Sequence, residues 1–175
     1  MKEEIVYKAI KGDKEAFTSL IESLEDTMYK ISRVRLDSED DIYDSIQESV
    51  ISAYNSIHNL KNPQFFKTWI IKILINKCND IYVRNNLKKR FLEKISKEKI
   101  NEENEYEKIE GKLEFENIIK FLNYKEKIIL TLYYSEDLTI KEISKILKIN
   151  ENTVKTKMLR AKEKIKKRYE GGFYG

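Results

Sequence analysis

One proline and five glycines serve 175 residues, and three of those glycines fall in the terminal GGFYG. A β fold needs such residues at nearly every chain reversal, because they supply the turn conformations that others resist. With so few available, the chain is expected to be all-α, helical almost throughout. Its apolar residues recur at helical spacing. In DKEAFTSLIESLEDTMYKISRVRL they place Phe17, Leu20, Ile21, Leu24, Met28 and Ile31 along one face. In DIYDSIQESVISAYNSI the set is Ile42, Ile46, Val50, Ala53 and Ile57. The lone proline, Pro63, follows Asn62 and opens the long run NPQFFKTWIIKILINKCNDIYVRNN, a helix-start signature. These segments read as the core helices of a small bundle.

Residues 91–112, FLEKISKEKINEENEYEKIEGK, interrupt the pattern with sparse apolar residues, mixed charges and a closing glycine. They are expected to form either a solvated helix or a flexible tether, with a largely disordered acidic linker the favoured reading. Two small helical domains would then lie on either side, over residues 1–90 and 113–175. Charge follows the same division. Residues 1–59 carry 7 Lys/Arg against 13 Asp/Glu, whereas residues 60–90 carry 8 against 1. Residues 93–116 hold 5 against 9, and residues 139–175 hold 11 against 4. Two basic segments separated by an acidic one suit two phosphate-facing surfaces on one chain. Lysine outnumbers arginine 28 to 6, and isoleucine and asparagine are plentiful, which points to an AT-rich genome.

Enzyme chemistry has little to stand on. Cys78 is the single cysteine and His58 the single histidine, so no disulfide and no ordinary zinc site can be assembled. The glycines never gather into a phosphate-cradling loop. No catalytic residue, metal or cofactor is expected, and Cys78 reads as a small core residue. No apolar run reaches the roughly 18 residues of a membrane span, and MKEEIVYKAI lacks the apolar core of a signal peptide. A cytoplasmic protein is expected.

The carboxyl-terminal segment TIKEISKILKINENTVKTKMLRAKEKIKKR has the strongest local signals. Thr139 and Glu142 form a capping box that starts a helix with Ile140, Ile143, Ile146 and Leu147 on its apolar face. Asn150 can cap a second helix that turns Val154, Met158, Ala161 and Ile165 inward. Three or four residues separate the two, the spacing of a helix-turn-helix. The second helix of that motif enters the major groove of DNA. Its outward side would show Asn152, Lys155, Thr156, Leu159 and Arg160, with Lys157, Lys162, Lys164, Lys166 and Lys167 as phosphate contacts. In the first unit, turning Ile70, Ile73, Leu74, Cys78 and Ile81 inward leaves Lys72, Asn76, Asp80 and Arg84 on one outward stripe. Cations beside amides and nearby aromatics suit opened, single-stranded DNA. Phe66 and Trp69 read as core rather than as base platforms.

DSIQESVISAYNSI followed by FFKTWIIKILINKCNDIYVRNN resembles the second conserved region of bacterial sigma factors. LTIKEISKILKINENTVKTKMLRAKEKIKK resembles their fourth. The short length is similar to the extracytoplasmic-function (ECF) group of the sigma-70 family, and some motifs look most like envelope-stress and lysozyme-responsive members from low-GC bacteria. The resemblance implies a non-enzymatic initiation factor that directs core RNA polymerase to promoters. It places Asp44, Gln47 and Glu48 on the face that docks on the β′ clamp helices. Leu60, Lys61, Asn62, Pro63, Gln64 and Phe65 fall on the loop that captures a flipped −10 base. Asn76 and Asp80 fall on the helix that reads the upstream −10 element. Lys155, Thr156, Leu159 and Arg160 fall on −35 contacts, with the carboxyl-terminal domain on the β flap. Lys148 and Asn152 stand where the family often has glycine, so the turn is expected to differ in shape. The implied partners are core polymerase, double- and single-stranded promoter DNA, and a membrane-anchored anti-sigma factor that holds the chain at the inner face of the membrane. The chain is otherwise expected to be a monomer. The competing expectation is a helix-turn-helix repressor or activator that is not a polymerase subunit.

Overall fold

A computed structural model of the chain describes residues 3–96 and 113–170. All regular structure among them is helical. The amino-terminal unit contains α1 (Glu3–Ile10), α2 (Lys14–Glu22), α3 (Glu25–Arg33), α4 (Glu39–Ser56) and α5 (Phe66–Ser96). The carboxyl-terminal unit contains α6 (Leu113–Ile119), α7 (Tyr124–Leu130), α8 (Ile140–Leu147) and α9 (Glu151–Glu170).

The apolar face expected from Phe17 to Ile31 is shared by two helices, α2 and α3. Ser23 closes α2, its hydroxyl donating to the Leu20 carbonyl at 2.7 Å, and Leu24 then leaves helical geometry with φ −114°. Ser23 competes for backbone carbonyls that the next turn would use, which is how serine ends helices. Leu24 remains buried, so the apolar face survives the break. Helix α4 begins with Glu39, Asp40 and Asp41, whose charges suit the positive end of the helix dipole. Pro63 opens a short 3-10 turn, Pro63–Phe65, that runs directly into α5. Asn62 caps that turn by accepting from the Gln64 amide at 3.2 Å.

The amino-terminal core is built where α3, α4 and α5 converge. Ile31, Ile42, Ala53, Ile70, Leu74, Cys78 and Ile81 are all buried there. Ser32, Ser45 and Ser49 are also fully buried, and their hydroxyls are satisfied locally. Ser45 donates to Ile42 O at 2.7 Å and lies 3.0 Å from Ser32 Oγ, while Ser49 donates to Ser45 O at 2.6 Å. Such small side chains let the helices approach closely without leaving an unpaired hydroxyl. Cys78 is 3.5 Å from Ser32 Oγ, and burial pushes its thiol pKa up. It is a core residue, as the sequence suggests.

Helix α5 continues to Ser96, so residues 91–96 of the expected linker are helical. The remainder of that segment, and the terminal GGFYG, lie outside the described residues. More of α5 is buried than one face accounts for. Ile71 and Ile75 are covered as well as Ile70 and Leu74, and Ile75 faces Ile128 and Ile146 of the other unit across a cleft. Burial therefore continues from one unit into the other.

Asn123 separates α6 from α7 and caps the latter. Its side chain accepts from the Glu126 amide at 3.0 Å, and Glu126 returns a bond to the Asn123 amide at 3.2 Å. Helix α7 passes into a single π turn, Thr131–Ser135, before Glu136 and Asp137 lead to α8. Lys148, at the end of α8, adopts left-handed φ 53° and ψ 44°. A side chain costs about 1–2 kcal/mol in that region and glycine about nothing, against an unfolded-state penalty for glycine of about 0.5–1 kcal/mol. Lys148→Gly should therefore raise stability by about 0.5 kcal/mol, read as a higher denaturant midpoint at unchanged slope. A lower midpoint would show that Lys148 is unstrained.

Candidate nucleic-acid interface

Helices α8 and α9 are separated by Lys148, Ile149 and Asn150 alone. Thr139 Oγ1 accepts from the Glu142 amide at 3.3 Å, and Glu142 Oε2 accepts from the Thr139 amide at 2.8 Å, completing the expected capping box. Burial would raise the Glu142 pKa, but bonds from the Thr139 side chain and backbone outweigh it and hold the carboxyl below its ordinary value. Asn150 accepts from the Asn152 amide at 2.8 Å and starts α9. Asn152 sits within the first turn at ordinary helical geometry, so a glycine is called for at Lys148 and not at Asn152.

Val154, Met158 and Ala161 point inward, and the opposite side of α9 is open. Asn152, Lys155, Thr156, Leu159 and Arg160 are all exposed, and Lys157 is half-buried. Leu159 is 59% exposed among these polar residues. The Thr156 hydroxyl donates to Asn152 O at 2.8 Å and must turn away from that carbonyl to reach a base. Two of the lysines read as phosphate contacts have protein partners instead. Lys164 Nζ lies 2.7 and 2.9 Å from the two carboxylate oxygens of Glu126, which is 5% exposed. Lys162 stands over the Tyr134 ring at 5.4 Å. Lys164 is thus a brace between α9 and α7, at a place where spacing along α9 gives no warning of a buried acid.

In the amino-terminal unit, Asn76, Asp80 and Arg84 form an exposed stripe along α5, with Lys72 half-buried at its start. The preceding segment presents Lys61, Asn62, Gln64 and Phe65 to solvent, with Leu60 and Pro63 half-buried. Phe66 is buried, as expected, and Trp69 is partly buried against the core. On α4, Asp44 and Gln47 are exposed and Glu48 is half-buried, 3.4 Å from Lys77 Nζ of α5. Ile51 and Tyr54 extend this α4 stripe and are 54% and 45% exposed. Together with Lys14 and Phe17 they border a groove of about 350 Å3. These two apolar residues escape a reading based on polar motifs, although their spacing from Gln47 would have signalled them.

Residues 20–88 match the model of Sigma-70 region 2, and residues 112–165 match that of Sigma-70, region 4. RNA polymerase sigma factor SigV of Bacillus subtilis (strain 168) is 32% identical over 133 residues, covering 76% of this chain and 78% of SigV. The chain belongs to the sigma-70 family. Within it, ECF RNA polymerase sigma factor SigW of the same organism is 26% identical over 170 residues, 90% of each chain. Among solved structures, the sigma factor RpoE of Bartonella quintana, in complex with the anti-sigma factor NepR, shares the fold with TM-score 0.69. It is 15% identical and aligns over 88% of this chain and 96% of its own. The protein is an ECF sigma factor, a factor for transcription initiation.

The sigma factor joins its region 4 helices through residues that do not face outward. Burial pushes the Glu126 carboxyl up, but bonds from Lys164 and the Asn123 backbone outweigh it and hold it below the ordinary carboxylate value. A carboxyl depressed in the fold stabilises above its unfolded pKa, and that stabilisation is lost as pH falls through the folded value. Glu126→Gln should cost about 1.5–3 kcal/mol at pH 7. It should also flatten the stability loss of the sigma factor at acid pH, where the paired carboxylate takes up a proton, measured by urea denaturation at pH 7 and pH 3.5. An equal deficit at both pH values would show that the charge of Glu126 contributes nothing.

Proposed function

We propose that the chain directs promoter-specific initiation through three separate surfaces, with no catalytic step of its own. The reading is carried by one observation: three outward-facing stripes, on α4, α5 and α9, have no partner role in the core yet present the groups each task requires. Asp44, Gln47 and Glu48, continued by Ile51 and Tyr54, form the docking stripe for the β′ clamp helices of core polymerase. An apolar pair flanked by acids and an amide suits a protein surface better than DNA.

The segment from Leu60 to Phe65 and the stripe Lys72, Asn76, Asp80 and Arg84 handle the −10 element. Melting there is driven by holding unstacked non-template bases, which needs cations, amides and an exposed ring such as Phe65. Asp80 repels phosphate, so it accepts from a base amine or orients Asn76 or Arg84. On α9, Asn152, Lys155, Thr156, Lys157, Leu159 and Arg160 read the −35 element, with region 4 carried on the β flap. The division into residues 1–90, 91–112 and 113–175 then corresponds to −10 unit, tether and −35 unit. The two DNA-reading units must separate to the spacing of the two promoter elements.

Control by an anti-sigma factor fits this arrangement, and the RpoE relative was solved in complex with one. We place the chain in the cytoplasm, held at the inner membrane face when that inhibitor is membrane-anchored, and in the envelope-stress group to which its motifs are similar. No helix among the described residues is long and apolar enough to cross a membrane.

The deciding experiment adds purified protein to sigma-free core polymerase on fragmented genomic DNA and maps transcript 5′ ends. Discrete starts that share two upstream elements are expected. A footprint by the protein alone, with no specific starts, would overturn the reading in favour of a polymerase-independent regulator. Arg160→Glu should abolish −35-dependent initiation and leave co-purification with core intact. Gln47→Ala with Glu48→Ala should do the reverse, lowering retention on core at least tenfold.

A further inference from the structure

The distal part of α5 carries apolar side chains that the core does not receive. Burial along the helix ends at Ile81, yet Val83, Leu87 and Phe91 follow at four-residue spacing and are 52%, 61% and 65% exposed. Side chains four apart lie one above another on a helix, so the three form a stripe about 12 Å long. The opposite side of the same turns faces the protein. Tyr82 lies there against the Arg35 guanidinium at 3.5 Å, and Asn85 donates to Asp41 of α4 at 2.8 Å. The stripe therefore looks away from the amino-terminal core and is left open to solvent. Exposed apolar residues gathered in this way mark an interaction surface, whereas single ones need no explanation.

Charge decides what can cover it. Residues 82–92, YVRNNLKKRFL, contain four Lys/Arg and no Asp/Glu. With about 100° of helix per residue, Arg84 and Lys88 fall along one margin of the stripe and Arg90 along the other. All three are exposed. A second copy of the chain would bring these cations against their own kind. Nucleic acid would pair with the cations and set the apolar centre against phosphate. Arg84 also ends the stripe assigned above to the −10 element, but that role makes no use of Val83, Leu87 or Phe91. An anionic bilayer surface meets both features at once. A helix lying in its plane sinks its apolar face about 5–10 Å, to the boundary of headgroups and acyl chains. Long cations at each margin then reach back to the headgroups.

We propose that this part of α5 is a membrane-surface site, which lays Val83, Leu87 and Phe91 into a bilayer rich in anionic lipid and sets Arg84, Lys88 and Arg90 on its headgroups. The site goes beyond promoter reading and does not depend on it. So short a stripe gives reversible attachment, far weaker than a spanning helix. Binding follows the anionic lipid content and weakens with salt, because the surface potential that attracts the cations is screened.

The test floats the full chain with vesicles of phosphatidylglycerol and phosphatidylcholine in equal parts, and with phosphatidylcholine alone. Wild type should float with the first and at least tenfold less with the second. The exposed lysines of α9 also attract anionic vesicles, so charge alone cannot be the readout. Leu87→Gln combined with Phe91→Gln keeps every charge and the helix propensity. It should lower flotation at least fivefold with the circular dichroism spectrum unchanged. Phe91→Trp should be quenched by vesicles with brominated acyl chains, over the background of Trp69, whereas Leu159→Trp on α9 should not. No flotation of wild type, equal flotation of the double glutamine variant, or quenching at Leu159 rather than Phe91 would each overturn the site. A double variant that floats normally but loses retention on core polymerase would assign the stripe to a protein partner and overturn it as well.

Discussion

Three small side chains hold the amino-terminal unit in register. Ser32 of α3, Ser45 of α4 and Cys78 of α5 meet in the core, each too short to keep its neighbours apart. Larger residues would push α4 away from α5, and the two outward stripes would lose their relation to each other. With the helices this close, Lys77 of α5 reaches Glu48 of α4, so the outward stripes of the two helices are tied to each other. The serines cost little because Ser45 and Ser49 donate to carbonyls of their own helix, and Ser32 Oγ accepts from Ser45 and Cys78.

Helix α5 is the element on which both units are assembled. Ile70, Leu74, Cys78 and Ile81 fill the amino-terminal core, while Ile75 meets the carboxyl-terminal unit and Asn76 sits at the edge of the cleft between them. One helix thus carries a core face, an interdomain face and a polar face. The carboxyl-terminal unit is braced differently. Its recognition helix is fixed by the Glu126–Lys164 pair and by Arg168 against the Phe121 ring, leaving the opposite side free. A charged brace on the inner flank and lysines on the outer one look alike in sequence, and burial separates them.

The carboxyl-terminal unit packs against one side of α5 and leaves the outward side of α9 in solvent. Burial also drives the Tyr124 hydroxyl up, to about 12, against the nearby Arg35 charge, which marks how far the interface excludes water.

Much of this was legible in the residues. The scarcity of glycine and proline, the 3.6-residue spacing of apolar positions, the caps at Asn62, Thr139 and Asn150, and the short gap after Leu147 are local signals. Local signals depend on neighbours within four residues, so the sequence by itself determined the all-α class, most helix starts and the helix-turn-helix. The break at Ser23 was not legible, because one serine bond decides it inside an unbroken apolar pattern. Neither were the partners of Arg35 and Lys164, which lie many residues away along the chain. Whether a lysine faces DNA or a buried carboxylate depends on which helix packs behind it. Tertiary structure alone decided that, because desolvation and pairing are properties of the assembled surface and leave no periodic trace in the chain.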